Sequence, residues 1–117
     1  MICARNPLLD LADRVVALDR KLPAPAKLVF SPSGIEFVAK SPMGMVSGAV
    51  EAHHAELSEE VTLRFNSRFL VDALANLVSD QTEIRLAEDP LARPKPVLIA
   101  DAQCPQAWNL VMPMRAG

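Results

Sequence analysis

The sequence predicts an α+β domain built from two β-α-β-β-β units that share a pseudo-twofold and lay two helices on antiparallel sheet. The apolar residues switch from a helical period to a strand-like alternation, and then make the same switch again. A capping asparagine ahead of an apolar helix start also occurs twice, at Asn6 and Asn66, about 60 residues apart. The predicted half-units are residues 1–56 and 57–117 of one domain spanning 1–117.

Met1–Arg5 is the expected first strand. A helix follows from Pro7 to about Lys21, with Asn6 as its cap and Pro7 suited to its first turn. Leu8, Leu11, Ala12, Val15, Leu18 and Leu22 fall on one side of it. Asp10, Asp13, Arg14, Ala17, Arg20 and Lys21 fall on the other, so the helix must pack on something. Lys27–Ser31, Ile35–Lys40 and Met45–His53 then alternate as strands, split by Ser31-Pro32-Ser33-Gly34 and Pro42-Met43-Gly44. Short joints of this kind make an antiparallel meander.

The second unit opens with the strand Val61–Phe65. Asn66 caps a helix from Ser67 to about Val78, whose expected apolar stripe is Phe69, Leu70, Ala73, Leu74 and Leu77. Thr82–Ala87, Pro96–Asp101 and Trp108–Met112 are the remaining strands, and Glu88–Lys95 is a proline-interrupted loop.

Composition bounds what such a domain does. At 117 residues the chain is long enough to bury one core without staples. Half of it is hydrophobic, yet no apolar run approaches the ~20 residues of a membrane helix. The first residues lack a basic stretch followed by a long apolar one, so no signal peptide is read and the default location is cytoplasmic. A formal charge of −2 argues against a protein that coats nucleic acid all over, and leaves room for a small basic face.

No enzymatic signature emerges. Cys3 and Cys104 have neither C-x-x-C nor zinc spacing and read as two buried or half-buried thiols. His53 and His54 are neighbours on a strand and point to opposite sides, so they would not share a metal. Asp10 and Asp13 have no cleft between them. Ser47, Ser58 and Ser67 lack a nucleophile motif, and no glycine-rich phosphate loop occurs. No catalytic residue, metal or cofactor is expected.

Three stretches resemble one family. Phe65-Asn66-Ser67-Arg68-Phe69-Leu70-Val71-Asp72-Ala73-Leu74 is similar to the F-N-x-x-Y-L-x-D-A-L run of the bacterial DNA polymerase III beta subunit, the replicative sliding clamp. Lys95-Pro96-Val97-Leu98-Ile99 resembles its K-P-V-L-I strand, and Val111-Met112-Pro113-Met114-Arg115 its closing V-M-P-M-R. The motifs come in the family's order, and Lys27–Val50 resembles its hairpin region. The resemblance covers essentially the whole chain, as the clamp's third, C-terminal domain.

That resemblance implies a DNA-clamp fold and a role in replication as a processivity factor rather than an enzyme. Clamps place six such domains in a ring around duplex DNA, which implies a homo-oligomer of this chain. They bind peptides of polymerases and other partner proteins between their second and third domains. The implied third-domain wall is Asn66, Phe69, Pro96, Leu110, Val111, Met112, Pro113, Met114 and Arg115. The implied DNA-facing residues are Arg14, Arg20, Lys21 and Arg68, beside Asp10, Asp13 and Asp72, so contact with duplex DNA would be weak. The chain departs from the family in having one domain rather than three, in lacking the Arg-Arg linker ahead of it, and in ending Ala116-Gly117 where a leucine is usual. A non-ring adaptor in replication or repair is the alternative that these departures leave open.

Overall fold

The computed structural model describes residues 1–18, 25–86 and 95–114. Its elements run β1 (Ile2–Ala4), α1 (Arg5–Leu18), β2 (Pro25–Ser31), β3 (Gly34–Ser41), β4 (Gly44–His54), β5 (Val61–Asn66), α2 (Ser67–Ala75), β6 (Gln81–Arg85), β7 (Val97–Asp101) and β8 (Cys104–Val111). This is the doubled β-α-β-β-β order that the periodicity predicts. Leu22 and most of the predicted Glu88–Lys95 loop lie outside the described residues.

The strands form one antiparallel sheet in the order β5-β2-β3-β4-β1-β6-β7-β8. Each unit therefore gives its first strand to the other unit's meander: β1 pairs with β6, and β5 with β2. This exchange makes the two halves one folding unit. Alternation sets the faces. Leu28 and Phe30 of β2, Ile35, Phe37 and Ala39 of β3, and Val97 and Ile99 of β7 turn inward and are buried. They meet Leu8, Ala12 and Val15 of α1 and Leu70, Ala73 and Leu74 of α2 in a common core. Each fully buried Leu, Val or Phe contributes about 1.5–3 kcal/mol. Gly34 has φ +150°, and a Cβ there would sit 2.1 Å from the Val50 carbonyl oxygen, so only glycine lets β3 start against β4.

The helix ends differ from the sequence expectation in an instructive way. α1 begins at Arg5, not Pro7, and Asn6 lies in its first turn rather than at a cap. The capping groups come from across the fold: Asp80 accepts from the Arg5 backbone N–H through its carbonyl (2.8 Å) and from the Asn6 N–H through Oδ1 (2.9 Å). Arg5 in turn donates from Nη1 to the carbonyls of Leu77 (2.8 Å) and Leu74 (3.4 Å). The start of α1 and the end of α2 thus cap each other.

α2 ends at Ala75, short of the expected Val78. The N–H groups of Val78 and Ser79 bond Asp101 Oδ2 at 2.8 and 2.7 Å instead of continuing the helix. Asp101 also accepts from Ser79 Oγ (2.6 Å) and the Gln103 N–H (2.9 Å). The Ser79 hydroxyl and the backbone donors hold this buried carboxyl far below the ordinary 3.8. Phe69 departs from the expected stripe: it is 55% exposed, while Leu70, Ala73 and Leu74 carry the packing. β8 starts at Cys104, earlier than the expected Trp108, with a register shift opposite Ala100/Asp101.

Candidate functional site

The eight-stranded sheet almost meets itself. β8 and β5 lie at opposite ends of the strand order, yet Met114 forms an antiparallel bridge with Arg64. The Met114 N–H donates to the Arg64 carbonyl at 2.7 Å. This bridge brings the chain's last described residues to the start of α2, two residues from Asn66.

Asn66 is the N-cap of α2, its side-chain oxygen accepting from the Arg68 N–H at 3.0 Å. Phe69 stands exposed on the first turn of that helix. Along β8, alternation sends Leu110 outward and Val111 inward, where Val111 is buried opposite Val97. Pro96 immediately precedes Val97 and so lies beside the same end of β8. Beyond the strand, Met112 is exposed, Pro113 buried and Met114 partly exposed. Asn109 points the other way and donates from Nδ2 to the Ala73 carbonyl at 3.2 Å, tying β8 to α2.

The bridge makes a corner at which Met114 meets the strand leading into Asn66 and α2, Pro96 precedes Val97 opposite Val111, and Arg115 lies outside the described residues. Phe69, Leu110, Met112 and Met114 are exposed apolar groups, and Val111 and Pro113 are buried. The corner's chemistry suits an apolar peptide. Methionine moulds to varied side chains, and β8 has an outer edge on which an extended segment could add as a strand. This arrangement has no nucleophile or acid–base pair.

The helix face is different. Arg14 is ion-paired to Asp10 one turn back at 2.9 Å, with both groups exposed. Arg68 is half-buried, and Asp13 and Asp72 are exposed. Arg20 and Lys21 lie outside the described residues. The described part of this face therefore sets two cations against three carboxylates.

His53 Nδ1 meets Gln81 Oε1 at 2.9 Å and His54 Nε2 meets Glu56 Oε1 at 3.3 Å, so the two rings have separate partners. Among the described residues no three His, Cys, Asp or Glu side chains could hold a metal ion, and no helix is long and apolar enough to cross a membrane. Cys3 is buried, and burial pushes its thiol up to about 11; Cys104 is half-buried. A hollow of about 440 Å³ on the outer side of β6–β8, lined by Glu83, Arg85, Leu98, Ala100 and Trp108, has no counterpart in the sequence reading. Only the cross-strand register, with Trp108 opposite Ala100, assembles it.

Two pseudo-symmetric halves, paired helices on one side and outer strands at both ends of a curled sheet define the class: this is a DNA-clamp domain. The family described as DNA polymerase III beta subunit, C-terminal domain, matches residues 1–115, and the chain belongs to it. Solved structures agree on the fold. The DnaN sliding clamp of Bartonella birtlesii bound to griselimycin is 26% identical with a TM-score of 0.80, the match covering 98% of this chain and 30% of that one. The beta sliding clamp of C. crescentus is 22% identical (TM-score 0.81; 98% and 30%). The beta subunit of Thermotoga maritima is 23% identical (TM-score 0.78; 99% and 30%). The chain thus spans about a third of the length of these clamps. No curated protein sequence matches it.

Proposed function

We propose that this domain serves as a sliding-clamp module in DNA replication, binding apolar peptide segments of polymerases or other clamp-binding proteins at the Asn66–Phe69–Leu110–Met114 corner. The observation that supports the reading is the Arg64–Met114 bridge, which brings exposed Met114 to the strand leading into Asn66 and α2; Phe69, Leu110 and Met112 are exposed as well. Arg115 and Pro96 would flank the peptide. The outer edge of β8 and the stretch of β4 before Ala52, which β1 leaves unpaired, would pair head to tail with neighbouring clamp domains, which removes exposed edges and completes the corner's second wall. In a ring of such domains the helices would face duplex DNA, with Arg14, Arg20, Lys21 and Arg68 as its weak contacts.

Light scattering with and without a DNA circle tests the ring. A mass several times that of the chain, with DNA retained until the circle is cut, is the expected result. A strict monomer at high concentration that leaves DNA unbound contradicts ring closure.

The surplus of carboxylates on the described helix face favours a second reading, a non-ring adaptor that keeps the peptide corner. It predicts peptide binding without salt-sensitive DNA retention.

A further inference from the structure

We infer that the outer sheet face beside the corner is an anion-binding patch, formed by Lys27, Lys40 and Arg64, that takes an acidic segment flanking the apolar anchors of the peptide. This inference rests on the peptide reading of the corner and names the partner's second chemical feature.

The register places the three cations. Arg64 of β5 is directly opposite Lys27 of β2, and Lys27 is directly opposite Val38 of β3. Lys40 is two residues along β3 from Val38, so it shares that face and lies diagonal to Lys27. All three are exposed, while their neighbours Ala26, Leu28, Ala39, Leu63 and Phe65 turn into the core. The cations line a concavity of about 300 Å³ with Pro25 and Val38 among its walls. Among the described residues none of the three is in an ion pair. The nearest carboxylate on the same face of β3, Glu36, sits one row away opposite Val29 and is in none either.

The patch is continuous with the corner. Met114 pairs with Arg64 on the side away from Lys27, and side chains opposite each other across an antiparallel pair share a face. Met114, Arg64, Lys27 and Val38 therefore form one row, in which the first residue belongs to the apolar corner and the next two are cations. A peptide seated on Met114 reaches Arg64 within one strand spacing, roughly 5 Å.

Charge selects the occupant. Three unpartnered cations held close together repel one another, and a run of carboxylates relieves that repulsion. The helix face, with its three described carboxylates, offers no such place. An acidic peptide segment fits better than nucleic acid because Met114, an apolar group of the corner, lies in the same row and is a natural partner of peptide side chains.

Fluorescence anisotropy with the full chain tests this. The probes are a short labelled peptide with two leucines and a phenylalanine, the same peptide extended by glutamates, the same extended by glutamines, a glutamate-only peptide and an oligothymidylate. The glutamate extension is expected to bind about 3- to 10-fold tighter than the glutamine one at low salt, and near parity at about 0.5 M salt. The variant K27Q/K40Q, which leaves the Arg64–Met114 bridge and the inward-facing residues intact, is expected to remove most of the difference without weakening the unextended peptide. Equal binding of the two extensions overturns the inference. If every apolar-anchored peptide fails, the glutamate-only peptide separates the two readings. Its salt-sensitive binding, lost in the variant, would keep the patch and discard the corner, whereas no binding discards both. Tighter patch-dependent binding of oligothymidylate than of the glutamate peptides replaces the peptide with single-stranded nucleic acid and overturns the inference.

Discussion

The pseudo-twofold places two equivalent seams in the sheet, and they are finished differently. At one seam β1 lies between β4 and β6, with Ile2 opposite both His54 and Glu83 and with Cys3 fully buried. At the other, β8 and β5 touch only through the Arg64–Met114 bridge. The same position in the fold is a closed joint in one half and an open corner in the other. The closed seam sends Cys3 into the core. The open one leaves Phe69, Leu110, Met112 and Met114 to solvent. In the proposed function, peptide binding would draw on an incomplete strand pairing rather than on an added loop.

The largest expected contrast is in stability. Leu8→Ala, on the helix that follows β1, removes a side chain with no exposure and should cost about 3 kcal/mol. Leu110→Ala at the open corner, where the side chain is 59% exposed, should cost under about 0.5 kcal/mol. Urea unfolding of the two variants measures the difference, and equal costs would mean the corner is packed after all.

Arg5→Ala comes next. It removes the donor that caps α2 from the closed-seam side and leaves the carbonyls of Leu74 and Leu77 without it, at an expected cost of about 1–2 kcal/mol in the same assay.

Asp101 sharpens the comparison through pH. Its carboxyl is held below the ordinary 3.8 in the fold, so its contribution to stability is complete above that value and is lost as pH falls below it toward the folded value. Urea midpoints taken from about pH 6 down to pH 2 should drop on the acid side. In Asp101→Asn that acid limb should flatten, with lower stability at neutral pH, because the amide cannot replace all the accepted bonds.

A small stability effect is expected at the bridge itself. Met114→Pro deletes the N–H that bonds Arg64 and should cost about 1 kcal/mol or less. Affinity for an apolar peptide should nevertheless fall by about tenfold or more, because the corner loses its alignment.

The elements of both halves were legible because their apolar residues keep a clean period, as Leu8, Ala12 and Val15 do in α1 and Ile35, Phe37 and Ala39 do in β3. What the period does not encode is long-range. Asp80 capping α1 and Asp101 stopping α2 involve partners many residues away, so Asn6 reads as a cap and α2 reads three residues too long. The exposure of Phe69 is likewise a tertiary fact, since an aromatic at helical spacing reads as core. Motif likeness marks Asn66 and Leu110–Met114 as one group, but only the fold shows the bridge that joins Met114 to the strand ahead of Asn66. Lys27, Lys40 and Arg64 are unremarkable on their separate strands and become a patch only through register.

The most direct test of the open-corner account is an amide NMR titration of the full chain with a short leucine- and phenylalanine-containing peptide. The account predicts the largest shifts at Asn66–Phe69 and Leu110–Met114, with Ile2–Ala4 and Ala52–His54 of the closed seam unmoved. Shifts centred on the closed seam, or none at the corner at saturating peptide, would contradict it.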